Sequence, residues 1–295
     1  MNRRIGLLGS MLAALLALAF ASPSQAAELG RVECDKLPSK ILGQAVPFCA
    51  VLPPGYDTDK SRRYPILYFL HGLGDNEQAF IHTGAWNLVE DLWERNAMRE
   101  FIIVTPRGNA SFYINSHDGK TRYEDFFWME FLPGMEHRYR VLPGRSHRGI
   151  SGISMGGYGA LHYAFRKPEM FTVVSAHSAA LIEKLPTFTS AGPNPSVRAR
   201  VLGSVFGLPP DENFWQRNSP LTLAKTAHLA GMKIYFDCGA EDDFGFETGA
   251  AALHKLLELR KIPHEFHIYP GGHDVAYFAE HLPESLQFDA KSFAP

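Results

Sequence analysis

A serine held between a strand and a helix, with glycines on both sides, constrains this chain more than any other feature. Gly152-Ile153-Ser154-Met155-Gly156 follows a short apolar-leaning run, Arg148 to Ile153, that reads as a strand. It opens onto Gly157-Tyr158-Gly159-Ala160-Leu161-His162-Tyr163-Ala164-Phe165, a helical pattern halted at Lys167-Pro168. In that setting G-x-S-x-G is a nucleophile elbow. The turn is strained, and the glycines let strand and helix approach closely enough to hold the hydroxyl clear of the sheet. The pentapeptide also arises by chance, so its neighbours must carry the reading.

Upstream, Tyr64-Pro65-Ile66-Leu67-Tyr68-Phe69-Leu70 is a β-rich run that empties into His71-Gly72-Leu73-Gly74-Asp75. A strand ending in His-Gly-x-Gly suits the loop that donates one backbone N–H to an oxyanion hole, the second donor being the amide of Met155. The plainer alternative is a strand-to-loop turn in which the glycines only allow positive φ. Downstream, Met232 to Asp237 reads as a strand, followed by Cys238-Gly239-Ala240-Glu241-Asp242-Asp243-Phe244. A helical pattern with Leu253, Leu256 and Leu257 on one side comes next. Pro263 to Tyr269 is then a strand, and Pro270-Gly271-Gly272-His273-Asp274 is the loop beyond it.

This layout supplies an acid and a histidine after the serine, in the order a triad on such a scaffold requires. His273 is the candidate base because it lies just past a strand end on a glycine-rich loop. Of the consecutive acids Glu241, Asp242 and Asp243, only one can face it; Asp242 is the first choice and Asp243 the second. Asp237, at the strand end, suits a structural role. His264 and His267 fall in the strand pattern and His281 on the following helix, while His71, His162 and His177 could approach the site but better suit loop shaping or core filling.

These motifs resemble the serine esterases of the α/β-hydrolase superfamily grouped with esterase D and S-formylglutathione hydrolase, with feruloyl and acetylxylan esterases and mycolyltransferases as relatives. The resemblance spans nearly the whole chain after residue 26. It rests on Val51-Leu52-Pro53-Pro54-Gly55-Tyr56, the run Arg63 to Gly72, the segment Arg148 to Leu161 with its Ser154-Met155-Gly156-Gly157 elbow, Asp237 to Asp242, and Gly271-Gly272-His273. It implies an α/β-hydrolase fold: a mostly parallel central sheet with helices on both faces. Position by position it makes Ser154 the nucleophile, Asp242 the acid and His273 the base, with the Leu73 and Met155 amides as the oxyanion hole. The chain departs from the cytosolic formylglutathione hydrolases in its oxyanion-loop sequence and in an export signal, so their thioester is not the expected substrate.

That signal is Met1-Asn2-Arg3-Arg4, then an apolar run from Ile5 to Phe20, then small residues at Ser24-Gln25-Ala26. Cleavage after Ala26 is expected, leaving a periplasmic or secreted protein with no stable membrane insertion; an uncleaved anchor is the alternative, for which the run is short. The residues from 27 to 295 then make one α/β domain of ordinary size. At 45% hydrophobic and 12% aromatic residues, the chain can bury a large core. Removing two leader arginines from 29 basic and 31 acidic residues moves the formal charge from −2 to −4. That mild acidity, with no basic stripe, argues against nucleic acid as a partner. Val197-Arg198-Ala199-Arg200 reads as a solvated helix face. No metal-ligand spacing and no phosphate-binding glycine loop is present, so no cofactor is expected.

Three cysteines suit an exported protein with one disulfide and one buried thiol. Cys34 and Cys49 flank an opening antiparallel hairpin, Arg31 to Val51, and could bridge in an oxidising compartment. Cys238 suits a small buried hydrophobe. The least regular stretch, about 186 to 231, carries Phe188, Phe206, Phe214 and Trp215 and is expected to cover the site as a cap that sets specificity. Tyr113, Phe126 and Trp128 either border the pocket or fill the core.

The parts point to a carboxylesterase taking a small-molecule ester through an acyl-enzyme. Two other readings are an acyltransferase, in which a second alcohol outcompetes water, and a non-catalytic binding protein on the same scaffold, a class that usually lacks a triad member. The substrate and the oligomeric state are not legible.

Overall fold

In the computed structural model, which describes residues 29–184 and 197–295, eight strands form one sheet. They are β1 (Arg31–Ser39), β2 (Gln44–Leu52), β3 (Ile66–Leu70), β4 (Ile102–Pro106), β5 (Arg148–Ile153), β6 (Val173–His177), β7 (Lys233–Gly239) and β8 (Glu265–Tyr269). Their spatial order is β1-β2-β4-β3-β5-β6-β7-β8. The β1–β2 and β2–β4 pairs are antiparallel and all the others parallel. This is the α/β-hydrolase fold, with the expected antiparallel hairpin at its start.

Side-chain alternation along the strands divides the interior in two. Ile66, Tyr68 and Leu70 of β3 face one core, and Leu67 and Phe69 face the other. The first core takes Met155, Tyr158 and Leu161 from the helix Met155–Arg166, and Leu253 and Leu257 from the helix Phe246–Leu259. The second takes Val89, Leu92 and Trp93 from the helix Ala85–Glu94, and Leu282 and Leu286 from the helix Val275–Ser292. Covered on both faces, β3, β4 and β6 are buried at every residue, which is why they read as continuous rather than alternating runs.

Strand β5 occupies the span expected of it, while three others differ at their ends. The ladder of β3 begins at Ile66, because Tyr64 instead bridges Val141 and Pro65 has no N–H to donate. Strand β7 runs two residues further, to Gly239, and β8 starts at Glu265, leaving His264 outside it. In the hairpin Cys34 pairs directly with Cys49, their Cα atoms 4.0 Å apart, and the two form a disulfide. Cys238 is free and buried.

The expected leader, 1–26, and residues 186–196 of the cap stretch, with Phe188, lie outside the described residues. The described remainder of that stretch forms the helices Val197–Phe206, Glu212–Asn218 and Pro220–Leu223. Its Leu202, Val205, Phe206 and Trp215 join the first core instead of forming one of their own, while Arg200 is exposed. Tyr113 and Phe126 are core residues, and Trp128 packs against that core. Among the described residues no helix is long and apolar enough to cross a membrane.

Parallel pairing has one consequence for chemistry. The loops that follow β3, β5, β7 and β8 all emerge at the same edge of the sheet, and they carry His71 to Asp75, Ser154, Asp242 and His273.

Candidate active site

Ser154 sits where β5 meets the helix Met155–Arg166, at φ 58° and ψ −117°. A non-glycine residue held there costs on the order of 1–3 kcal/mol and persists only where its surroundings over-determine it. They do so here: the Ser154 N–H donates to the His177 carbonyl at 2.9 Å, and the Ala180 N–H donates to the Ser154 carbonyl at 3.0 Å. The flanking glycines are steric necessities. A Cβ on Gly156 would stand 1.8 Å from the Leu70 carbonyl oxygen, and one on Gly152 would stand 2.4 Å from the Gly156 carbonyl. Met155 is the first helical residue, so its N–H is among those that no intrahelical carbonyl reaches.

The loop after β3 is pinned by His71. Its Nε2 accepts the Gly108 N–H at 2.8 Å, so the proton resides on Nδ1, which donates to the Gly72 carbonyl at 2.8 Å. Burial lowers the His71 pKa and keeps the ring neutral. The Tyr113 hydroxyl donates to the His71 carbonyl at 3.0 Å. This bracing sets Gly72 against the nucleophile turn: a Cβ there would lie 3.5 Å from Ser154 Cβ, and Leu73 follows directly.

Across the same edge, Asp242 Oδ2 lies 2.7 Å from His273 Nδ1. Asp242 Oδ1 accepts the N–H of Phe244 at 2.9 Å and that of Phe246 at 3.4 Å. Burial pushes this carboxyl up, but the His273 hydrogen bond and the two amides outweigh it and hold the pKa below the ordinary aspartate value. Asp243, the second choice from sequence, is exposed. Glu241 turns to the neighbouring loop, where its Oε2 accepts the Gly271 N–H at 2.7 Å. Cys238 Sγ lies 3.6 Å from Asp242 Oδ2, and burial pushes its thiol up to about 12, so it stays protonated.

The His273 ring is walled edge-on by Phe244, Phe246 and Phe278, with centroids 4.8, 5.5 and 5.3 Å away. It shares two cavities with Ser154, of about 580 and 210 Å³. Among the described residues no direct hydrogen bond joins the Ser154 hydroxyl to that ring. The larger cavity is also lined by Leu73 and Met155 and by Phe112, Ile182 and Val201. Phe112 therefore reaches the cavity, while its neighbour Tyr113 points into the core. Sequence reasoning missed Phe112, Phe244 and Phe246. The available signal was a pair of aromatics separated by one glycine directly after the acid turn.

A second His–Asp pair lies beneath the site. His177 Nδ1 stands 2.7 Å from Asp237 Oδ2, both side chains fully buried, at ion-pair distance without hydrogen-bond alignment. Asp237 Oδ1 accepts the Tyr277 hydroxyl at 2.7 Å, so its structural reading holds. His162 is buried against the Asn218 carbonyl, His264 meets His254, and His281 stacks on Tyr269. None of these three lines either cavity. Among the described residues no group of three or more His, Cys, Asp or Glu side chains is placed to hold a metal ion.

Comparison with known proteins gives the same frame. The family model described as "Putative esterase" matches residues 39–288. An esterase of Mycobacterium tuberculosis is 31% identical over 248 residues, covering 76% of this chain and 51% of its own length. The chain thus spans about half the length of that relative. An acetyl esterase of Caldicellulosiruptor saccharolyticus is 25% identical, with 86% of this chain and 96% of the relative covered. A solved ferulic acid esterase superposes with a TM-score of 0.78 at 28% identity, covering 90% of this chain and all of its own.

Proposed function

Since the chain belongs to this esterase family, we propose that it is an exported serine carboxylesterase in which Ser154, His273 and Asp242 hydrolyse carboxylic esters through an acyl-enzyme. One observation carries the reading: a serine at positive φ on a glycine-pinned elbow lines the same two cavities as a histidine whose far nitrogen is bonded to a buried aspartate.

The Ser154 oxygen attacks the ester carbonyl while its proton passes to His273 Nε2. Asp242 stays ionised; it holds the proton of the imidazole on Nδ1 and stabilises the imidazolium. The developing oxyanion accepts from the Leu73 and Met155 amides, each such donor being worth about 10²–10³ in rate. On collapse the ester C–O bond breaks, and the departing alcohol takes the proton from His273. Water then attacks the acyl-serine, giving one proton to His273 and releasing the acid; that proton returns to Ser154.

Relatives named acetyl esterase and ferulic acid esterase support a carboxylic ester substrate. Export is supported by the basic–apolar–small pattern of residues 1–26 and by the Cys34–Cys49 disulfide, a bond that persists in oxidising compartments. Phenylmethylsulfonyl fluoride tests the reading. One sulfonyl group on the Ser154 peptide should accompany loss of p-nitrophenyl acetate hydrolysis, and full hydrolysis by fully modified protein would overturn it. N-terminal sequencing of protein from the periplasm or medium tests export and should begin at Ala27.

A further inference from the structure

The two cavities that meet at Ser154 and His273 differ in chemistry, and an ester has two arms to place in them. Phe112, Ile182, Val201, Leu202, Phe244 and Phe246 line the larger, at about 580 Å³; among its described lining side chains only Ser154 and His273 carry polar groups. The smaller, at about 210 Å³, is walled partly by His71, Asp75, Thr83 and Asp274. Its wall also includes the run from His273 to Val275, the loop that carries the base.

We infer that the larger cavity is an acyl pocket for an unsubstituted aliphatic chain, and that the alcohol arm occupies the smaller, more polar one. This rests on the esterase reading above. The leaving oxygen must take its proton from His273, which lines both cavities; Asp274 and Val275, next on the loop that carries it, wall the smaller one alone, and the alcohol is assigned there. The acyl chain is then directed against Phe112, Val201 and Leu202, where each methylene removed from water strengthens binding. A hydroxylated aromatic acyl group that set its phenol against Phe112, Val201 and Leu202 would find no hydrogen-bond partner among those side chains, and a buried hydroxyl left unpaired there lowers affinity by about ten-fold or more. A cavity of this size falls in the ordinary range for small ligands, which suits an acyl chain of about six to ten carbons.

A matched ester panel tests the assignment. With p-nitrophenol held constant, kcat/KM should rise from acetate to octanoate by about ten-fold or more, at up to about four-fold per methylene. With acetate held constant, lengthening the alcohol from ethyl to octyl should give a smaller rise. Methyl octanoate should be cleaved faster than methyl ferulate. Val201→Asp should lower the octanoate-to-acetate ratio by about ten-fold or more, because it puts a charge in the apolar wall. Ile182→Asn serves the same purpose if that variant does not fold. An acetate optimum, a steeper dependence on alcohol length, or preference for methyl ferulate would each overturn the acyl-pocket assignment. Absence of hydrolysis across the whole panel would instead remove the esterase reading on which it rests.

Discussion

Asp242 and His273, 31 residues apart in the chain, meet with Oδ2 2.7 Å from Nδ1. They do so because they sit on loops after adjacent parallel strands, β7 and β8, whose register brings Gly239 opposite Tyr269. The pairing is braced from both sides. Glu241 on the acid turn accepts from Gly271 on the histidine loop, and the Asp242 carboxylate is held by two amides of its own turn. The acid–base geometry is thus part of the sheet's construction, and it yields a first contrast between neighbouring residues.

Asp242→Asn should lower kcat/KM for p-nitrophenyl acetate by about 10⁴, the scale seen where a triad acid loses its charge and the histidine its tautomer. Asp243→Asn, at an exposed position, should stay within several-fold of the parent. Comparable losses in the two variants would refute the assignment of Asp242.

The same residue should shape stability against pH. Its folded pKa is depressed, so its contribution is present above the ordinary aspartate value and is lost as pH falls through the folded one. The melting-temperature gap between parent and Asp242→Asn should therefore be widest near pH 7 and close on acidification toward pH 3. A gap that widens on acidification would contradict the depressed carboxyl.

Asp289 should behave oppositely. Burial raises its pKa well above the ordinary value, the Ser175 hydroxyl 2.9 Å away compensating only in part. With a raised folded pKa, its stabilising contribution is full below the unfolded value and is lost as pH rises through the folded one. Asp289→Asn removes that loss, so thermal melts should show it level with the parent near pH 4 and a few degrees higher at pH 8. A parent more stable than the variant at pH 8 would count against a neutral buried acid.

Ser154→Ala should leave a folded protein with hydrolysis down by about 10⁴–10⁶. Circular dichroism and burst kinetics with p-nitrophenyl acetate check the two halves of that statement together.

Gly156→Ala should destabilise by about 3 kcal/mol or more, because its Cβ would strike the backbone carbonyl of Leu70, which cannot yield as a flexible side chain would. Gly72→Ala meets nothing closer than 3.5 Å and should fold normally. Urea midpoints of the two variants give the comparison, and equal midpoints would mean that the elbow is not sterically tight.

Opening the Cys34–Cys49 bridge, which spans 15 residues of sequence, should cost about 3 kcal/mol. For a domain of this size that lowers the melting temperature by roughly 6–12 °C, read from scans with and without dithiothreitol. An unchanged melting point would show that the hairpin holds its register without the bond.

Much of this protein was legible before any fold was known, and the reason is locality. A nucleophile elbow is a steric device spanning five consecutive residues, so Gly152, Ser154 and Gly156 announce it together. Strand runs announce themselves wherever both faces are buried, as in β3. The hairpin and its two cysteines are likewise near neighbours in sequence. What stayed hidden depends on directions and distances between remote segments. Glu241, Asp242 and Asp243 are chemically alike and consecutive; only the path of the turn after β7 sends one into the interior, one to a neighbouring loop and one to solvent. Phe112 and Tyr113, both at positive φ, belong to the same core, yet only Phe112 also borders the cavity, a difference that adjacency in sequence does not show. The chain by itself determined which chemical groups are available and in what order they come. The tertiary structure decided which of them face one another, because burial and hydrogen-bond alignment are set only when strands far apart in sequence lie side by side.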